Sequence, residues 1–167
     1  MARLEVQPPD PGALEAARAA FAGLQRGAAT GAWGDFVDLL ADDVRIMIPV
    51  PSTEPGAPEG VLRGKATAEA MFGSHHEEQV RGARLEGHRV TANGPLVSIE
   101  ARVEGNLGGE EVANHFVFVF EVVGGEIVSM YEYAAWTAKS AESGWGDPAF
   151  AREAFDAPVL PGPVLQT

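Results

Sequence analysis

EEVANHFVFVFEVVGGEIVSMYEYAAW, residues 110–136, carries the strongest structural pattern in the chain. Two runs rich in Val, Ile, Phe and Tyr flank Gly124-Gly125, which predicts a long antiparallel hairpin with a tight glycine turn. Phe116, Phe118 and Phe120 alternate with valines, so they share one face of their strand. Two ionisable side chains stand within these apolar runs: His115 near the start and Glu132 near the end. A carboxylate on apolar surface is costly unless it is paired or protonated. Met130 and Ala134, two residues to either side of Glu132, are apolar, which puts Glu132 on an apolar face. If that face lines a cavity, desolvation raises the pKa into a range useful for acid–base chemistry. If it is exposed, pairing with Arg102 or Arg89 is the alternative. Asn114 and His115 are adjacent, so only one of them can point into a cavity. Asn114 shares the parity of the three phenylalanines.

Working outward, strand-like segments precede the hairpin. Leu96 to Glu104 alternates cleanly, with Val97, Ile99, Ala101 and Val103 on one face and Ser98, Glu100, Arg102 and Glu104 on the other. Asn93-Gly94-Pro95 is the turn before it, and Arg84 to Thr91 is a weaker strand. Lys65 to about Glu78 reads as a helix with Ala68, Met71 and Phe72 as apolar members and His75-His76 near its end. Pro51 to Gly60 (PSTEPGAPEG) is a loop, a plain connection or a lid. Val44 to Val50 reads as a strand with Val44, Ile46 and Ile48 on one face and Arg45 and Met47 on the other. Trp33, Phe36, Val37 and Leu40 form the buried side of a short helix that ends at Ala41-Asp42-Asp43. Asp10-Pro11 is a helix start, Gly31 its stop, and Leu14, Ala17, Phe21, Leu24 and Ala28 its buried face.

The chain has 167 residues, 46% apolar and 22% charged, which suits a single globular core. It contains no cysteine, so disulfides, thiolate nucleophiles and Cys-ligated metals are excluded. A net charge of −12 opposes binding to nucleic acid and to anionic membranes. The N-terminus lacks a signal-peptide core, and no apolar run approaches the roughly 20 residues of a membrane span. A cytoplasmic protein is expected. His75-His76 lacks a productive ligand spacing, no Gly-rich phosphate loop follows a strand, and no Ser/His/Asp elbow occurs. The expectation is therefore chemistry without metal or cofactor. After Trp136 the sequence becomes small, polar and punctuated by Pro148, Pro158, Pro161 and Pro163. The domain organisation read from this is an α+β domain over 1–136 and an extension over 137–167, which packs on the body or on a partner subunit. Asp147-Pro148 opens a short helix in it.

The predicted class is α+β: a curved antiparallel sheet wrapped around N-terminal helices, leaving a cone-shaped apolar cavity. The segments 31–43 (GAWGDFVDLLADD), Leu62-Arg63-Gly64, Asn114-His115-Phe116, Gly125–Val128 and Tyr131-Glu132-Tyr133 together resemble the SnoaL-like branch of the nuclear-transport-factor-2-like superfamily. The resemblance runs from about Gly12 to Trp136. It implies a cystatin-like roll, a homodimer formed through the outer face of the sheet, and a small-molecule ligand. The family hosts cyclases, isomerases, dehydratases, epoxide hydrolases and non-catalytic binders, so the fold alone does not choose an activity.

Comparison within the superfamily narrows the choice. Where steroid isomerases carry a base before a Pro-Val pair, this chain has Ile48. Their oxyanion tyrosine corresponds to Leu24, and their second acid falls near Asn114. Arg102-Val103-Glu104 with Glu132 could imitate the trio of limonene-type epoxide hydrolases, provided that Arg102 and Glu104 point inward. Phenazine-biosynthesis isomerases carry an Asn-His-Phe strand and a following acid/base glutamate that matches Glu132; their helix-borne histidine falls on Met71. The expectation is a cofactor-independent cyclase, isomerase or dehydratase acting on a small, largely apolar, oxygenated metabolite of natural-product biosynthesis. Glu132 would move the proton. His115, Arg102 or Asn114 would polarise the substrate. Trp33, Met47, Met71, Phe72, Phe116, Phe118 and Met130 would bind it. The alternative is a ligand-binding module without catalysis.

Overall fold

A computed structural model describes residues 6–47, 61–73, 82–107 and 110–134; the side chains of 106, 107, 110–114 and 134 lie outside the description. Helix α1 (Pro11–Thr30) begins and ends where local chemistry places it. The Asp10 carboxylate accepts from the Gly12 and Ala13 backbone N–H groups at 2.8 and 3.3 Å. Gly31 stops the helix in the left-handed region at φ 80°. The buried face of α1 is built of small residues, Ala13, Ala16, Ala17, Ala20, Gly23 and Gly27, with Phe21 and Leu24 as its large members. Small side chains let the short helix α2 (Gly34–Val37) press close. A methyl group on Gly23 would lie 2.7 Å from the Phe36 backbone nitrogen, and one on Gly27 would enter the Trp33 ring. Gly23→Ala is therefore expected to cost about 1–3 kcal/mol in denaturant unfolding, because backbone cannot move aside as a side chain can. Gly34→Ala, with open space around it, is expected to be neutral or stabilising by about 0.5 kcal/mol.

The strands are β1 (Leu40–Met47), β2 (Val61–Arg63), β3 (Arg84–Asn93), β4 (Leu96–Leu107), β5 (Glu110–Val123) and β6 (Glu126–Ala134). They form one open sheet in the order β2-β1-β6-β5-β4-β3. Helix α3 (Lys65–Met71) follows β2 and packs on β1, while α1 lies against β3 to β6. Gly124 and Gly125 both take positive φ, 63° and 90°, as a two-residue hairpin turn requires. Register shifts between Leu40 and Arg45, Gly87 and Arg89, and Glu121 and Val122 bend the strands. The class is α+β, a curved sheet around N-terminal helices.

Several element boundaries differ from expectation. Leu40 opens β1 instead of closing a helix: it pairs with Ile127, and the Ile127 N–H donates to the Leu39 carbonyl at 2.8 Å. Long-range pairing here overrides a helix-compatible local pattern. That pairing also makes β1 parallel to β6, so the sheet is mixed and not wholly antiparallel. The three-residue β2 was not expected; it pairs antiparallel with β1. Helix α3 ends at Met71, and its expected continuation to Glu78, with His75-His76, lies outside the described residues. So do the 51–60 loop and the whole extension, 137–167.

Candidate functional site

The two faces of the sheet can be assigned from the ladders. Phe118 stands opposite Glu132 and Phe120 opposite Met130. On the other side of β5, Phe116, Phe118 and Phe120 pair with Ala101, Ile99 and Val97. Ile46 of β1 pairs with Met130. These residues form the inner face, which joins the α1 side chains in one apolar cluster. Among the described residues Glu132 is the one ionisable side chain on this face of the strands. Its residue is partly exposed, yet burial of the carboxyl raises its pKa from 4.5 to about 7. Among the described residues no charge offsets that burial.

A bulge decides this placement. Next to the turn, Val123 pairs with Glu126 and Val122 with Ile127; the register then shifts, so that Glu121 pairs with Ser129. Val128 is the extra residue. Counted back from the turn without the bulge, Glu132 would stand opposite Val117, on the face of His115. One inserted residue flips everything beyond it to the other side.

His115 and Arg102 are therefore not brought to Glu132. They pair with each other across β4 and β5 on the outer face. Arg102 forms an ion pair with Glu104 at 2.5 Å. Arg89 grips Glu100 through Nε and Nη2 at 2.6–2.8 Å, so neither arginine serves Glu132. His115 lies edge-on to His88, with centroids 6.2 Å apart. Burial lowers its pKa, an effect that Glu100 opposes and that His88 and Arg89 add to. Met47 pairs with Tyr131 and also belongs to the outer face, so it does not join the apolar wall around Glu132. The epoxide-hydrolase trio fails on the same ground, because Arg102 and Glu104 point away from Glu132. Asn114 stands in register with Val103; its side chain lies outside the described residues.

The other expected binding residues belong to the inner cluster. Trp33 and Phe72 are buried with ring centroids 5.1 Å apart, and Phe36 meets Phe72 edge-on at 5.2 Å. Phe116, Phe118 and Met130 are buried, and Met71 packs at the cluster's edge. Ile46 was not among the residues expected at the wall, and Phe120, expected on the face of Phe116 and Phe118, was not among the expected binding residues. Phe21, which meets Phe118 edge-on at 5.6 Å, had no signal beyond its place on the helix face. Among the described residues no group of three His, Asp or Glu could hold a metal ion, and no helix is long and apolar enough to cross a membrane.

Comparison with known proteins agrees with this architecture. Residues 17–130 match the SnoaL-like domain family. The structure is similar to that of an NTF2-like protein from Anabaena variabilis, at 31% identity and TM-score 0.65, over 75% of this chain and 90% of that one. It is also similar to TerC co-crystallised with polyporic acid, at 20% identity and TM-score 0.59, over 85% and 96% of the two chains. An LEH-like epoxide hydrolase from M. tuberculosis aligns at 22% identity and TM-score 0.55, over 74% and 83%. The last two likenesses concern the fold alone. A comparison with curated proteins found no match. The family match over most of the chain and the 31% identical NTF2-like structure lead to one conclusion: this chain belongs to the SnoaL-like domain family of NTF2-like folds.

Proposed function

We propose that the protein is a cofactor-independent acid–base enzyme: a cyclase, isomerase or dehydratase of a small, largely apolar, oxygenated metabolite. One observation carries the reading. Among the described residues Glu132 is the lone carboxyl on the apolar inner face of the strands, with a pKa raised to about 7. Near neutral pH it is present in both forms, so it can give a proton to one position of a substrate and take one from another. Trp33, Met71, Phe72, Phe116, Phe118 and Met130 would bound the ligand chamber. That TerC holds polyporic acid on the same fold supports a small organic ligand. The outer face, with Met47, Val117, Val119, Tyr131 and the half-exposed Tyr133, would join two copies into a cytoplasmic homodimer.

The test is a parallel screen of hydroxylated and carbonyl-bearing apolar metabolites with the wild type and Glu132→Gln. The expected activity depends on a single ionisation near pH 7 and falls at least about 100-fold in the variant. Turnover that survives with the same pH profile in Glu132→Gln would contradict the reading.

A second reading is favoured by one observation: His115 and Arg102 lie on the opposite face, leaving Glu132 without two of the polar companions expected of it. A non-catalytic binder needs no such companions. It would shift the Glu132 titration on binding a ligand and return that ligand unchanged.

A further inference from the structure

Phe118 is the direct cross-strand neighbour of Glu132 on the inner face. Side chains so placed stand about 5 Å apart at Cβ, within reach of an aromatic ring. Phe118 is 3% exposed. Its ring is held on three sides. Phe116 and Phe120 stack along the strand at 6.0 and 6.5 Å, with interplanar angles of 12° and 17°. Phe21 of α1 meets it edge-on at 61°. Phe21 is itself seated over Gly87 of β3: a methyl group there would lie 3.1 Å from the Phe21 ring edge. A line of contact therefore runs from Gly87 through Phe21 to Phe118, which stands opposite Glu132 in the ladder. Packed rings have few ways to yield, so a change at one end is felt at the other.

We propose that Phe118 is the positioning residue of Glu132: braced by Phe21 over Gly87, its ring keeps water off the Glu132 carboxyl and holds that carboxyl against the apolar wall. This rests on the reading of Glu132 as the acid/base. It assigns the control of that acid to a hydrophobic brace, since no charged neighbour among the described residues supplies it. The brace would also tune the pH at which the site works, because removing it admits water and stabilises the carboxylate.

The experiment is a carbon-13 NMR titration of the Glu132 carboxyl in the full chain, assigned by its loss in Glu132→Gln. Phe118→Leu is expected to lower the midpoint by about one pH unit. Phe21→Leu is expected to lower it in the same direction by less. Phe36→Leu removes a buried ring of the same cluster that packs edge-on against Phe72 and is no ladder neighbour of Glu132, and is expected to lower stability while leaving the midpoint in place. A folded Phe118→Leu with the wild-type midpoint overturns the brace, and so does an equal fall in Phe36→Leu. If Phe118→Leu does not fold, Phe21→Leu decides by the same criterion. A wild-type midpoint near 4.5 would instead remove the acid reading of Glu132 and the brace with it. A wild-type midpoint near 7 that Phe118→Leu leaves unmoved removes the brace alone.

Discussion

Exchanging Glu132 for Gln is expected to make the protein about 3 kcal/mol more stable at pH 8 while sharply lowering the proton transfer proposed for it. The stability effect follows from linkage. The carboxyl has a pKa of about 7 in the fold, against 4.5 for a free glutamate. Below pH 4.5 it is protonated in both the folded and the unfolded chain, and its burial carries no ionisation cost. Between pH 4.5 and 7 the unfolded chain releases the proton and the folded one keeps it, so stability falls as pH rises. Above pH 7 both states are ionised and the full deficit remains. At 1.36 kcal/mol per pH unit, that deficit is about 3 kcal/mol. Gln has nothing to ionise. The difference between variant and wild type in urea unfolding should therefore be near zero below pH 4.5, grow through the window and level off above pH 7. A difference that stays flat with pH would mean that the carboxylate is already solvated. Activity should move the other way, falling by about 100- to 10,000-fold, the usual contribution of a positioned acid or base. A stability cost at Glu132 offset by the proposed activity would be the trade-off expected of an active site.

Phe120→Ala is expected to cost about 3–5 kcal/mol, the range for deleting a fully buried aromatic. Phe120 has no exposed surface. It lies between Val97 and Met130 in the ladder and stacks on Phe118. For a chain of this size each kcal/mol lowers the melting temperature by about 2–4 °C, so the variant should melt roughly 10 °C early. Val123→Ala, 58% exposed at the hairpin turn, should stay within about 0.5 kcal/mol of the wild type. The contrast matters for function. A mild effect at Phe120 would show that this end of the inner face borders open space, and the ligand chamber would then extend further along β5.

The parts legible in the sequence were those set by local chemistry. The Asp10 cap, the Gly31 stop, the Gly124-Gly125 turn and the alternation of Phe116, Phe118 and Phe120 each depend on a few neighbouring residues. The parts that were not legible depend on distant partners. Leu40 becomes strand because Ile127 is there to pair with it. Three residues at Val61–Arg63 become strand only against β1. The site was divided in the same way. That Glu132 sits on an apolar face was readable from Met130 and from family resemblance. That His115 stands on the opposite face from Glu132 was not, because the answer turns on the Val128 bulge, and a single extra residue leaves little trace in alternation. Arg102 alternated with Val103 and Val97, so its outward position was one of two readings of that strand. Its pairing with Glu104 and alignment with His115 settle it on the outer face.

Titration of the Glu132 carboxyl in the wild-type protein, followed by carbon-13 NMR from pH 3 to 10, shows whether the inner face holds an acid that titrates near neutral pH. A midpoint near 7 is the predicted result. A midpoint near 4.5, the value of a free glutamate, would contradict it and leave the inner face without an acid.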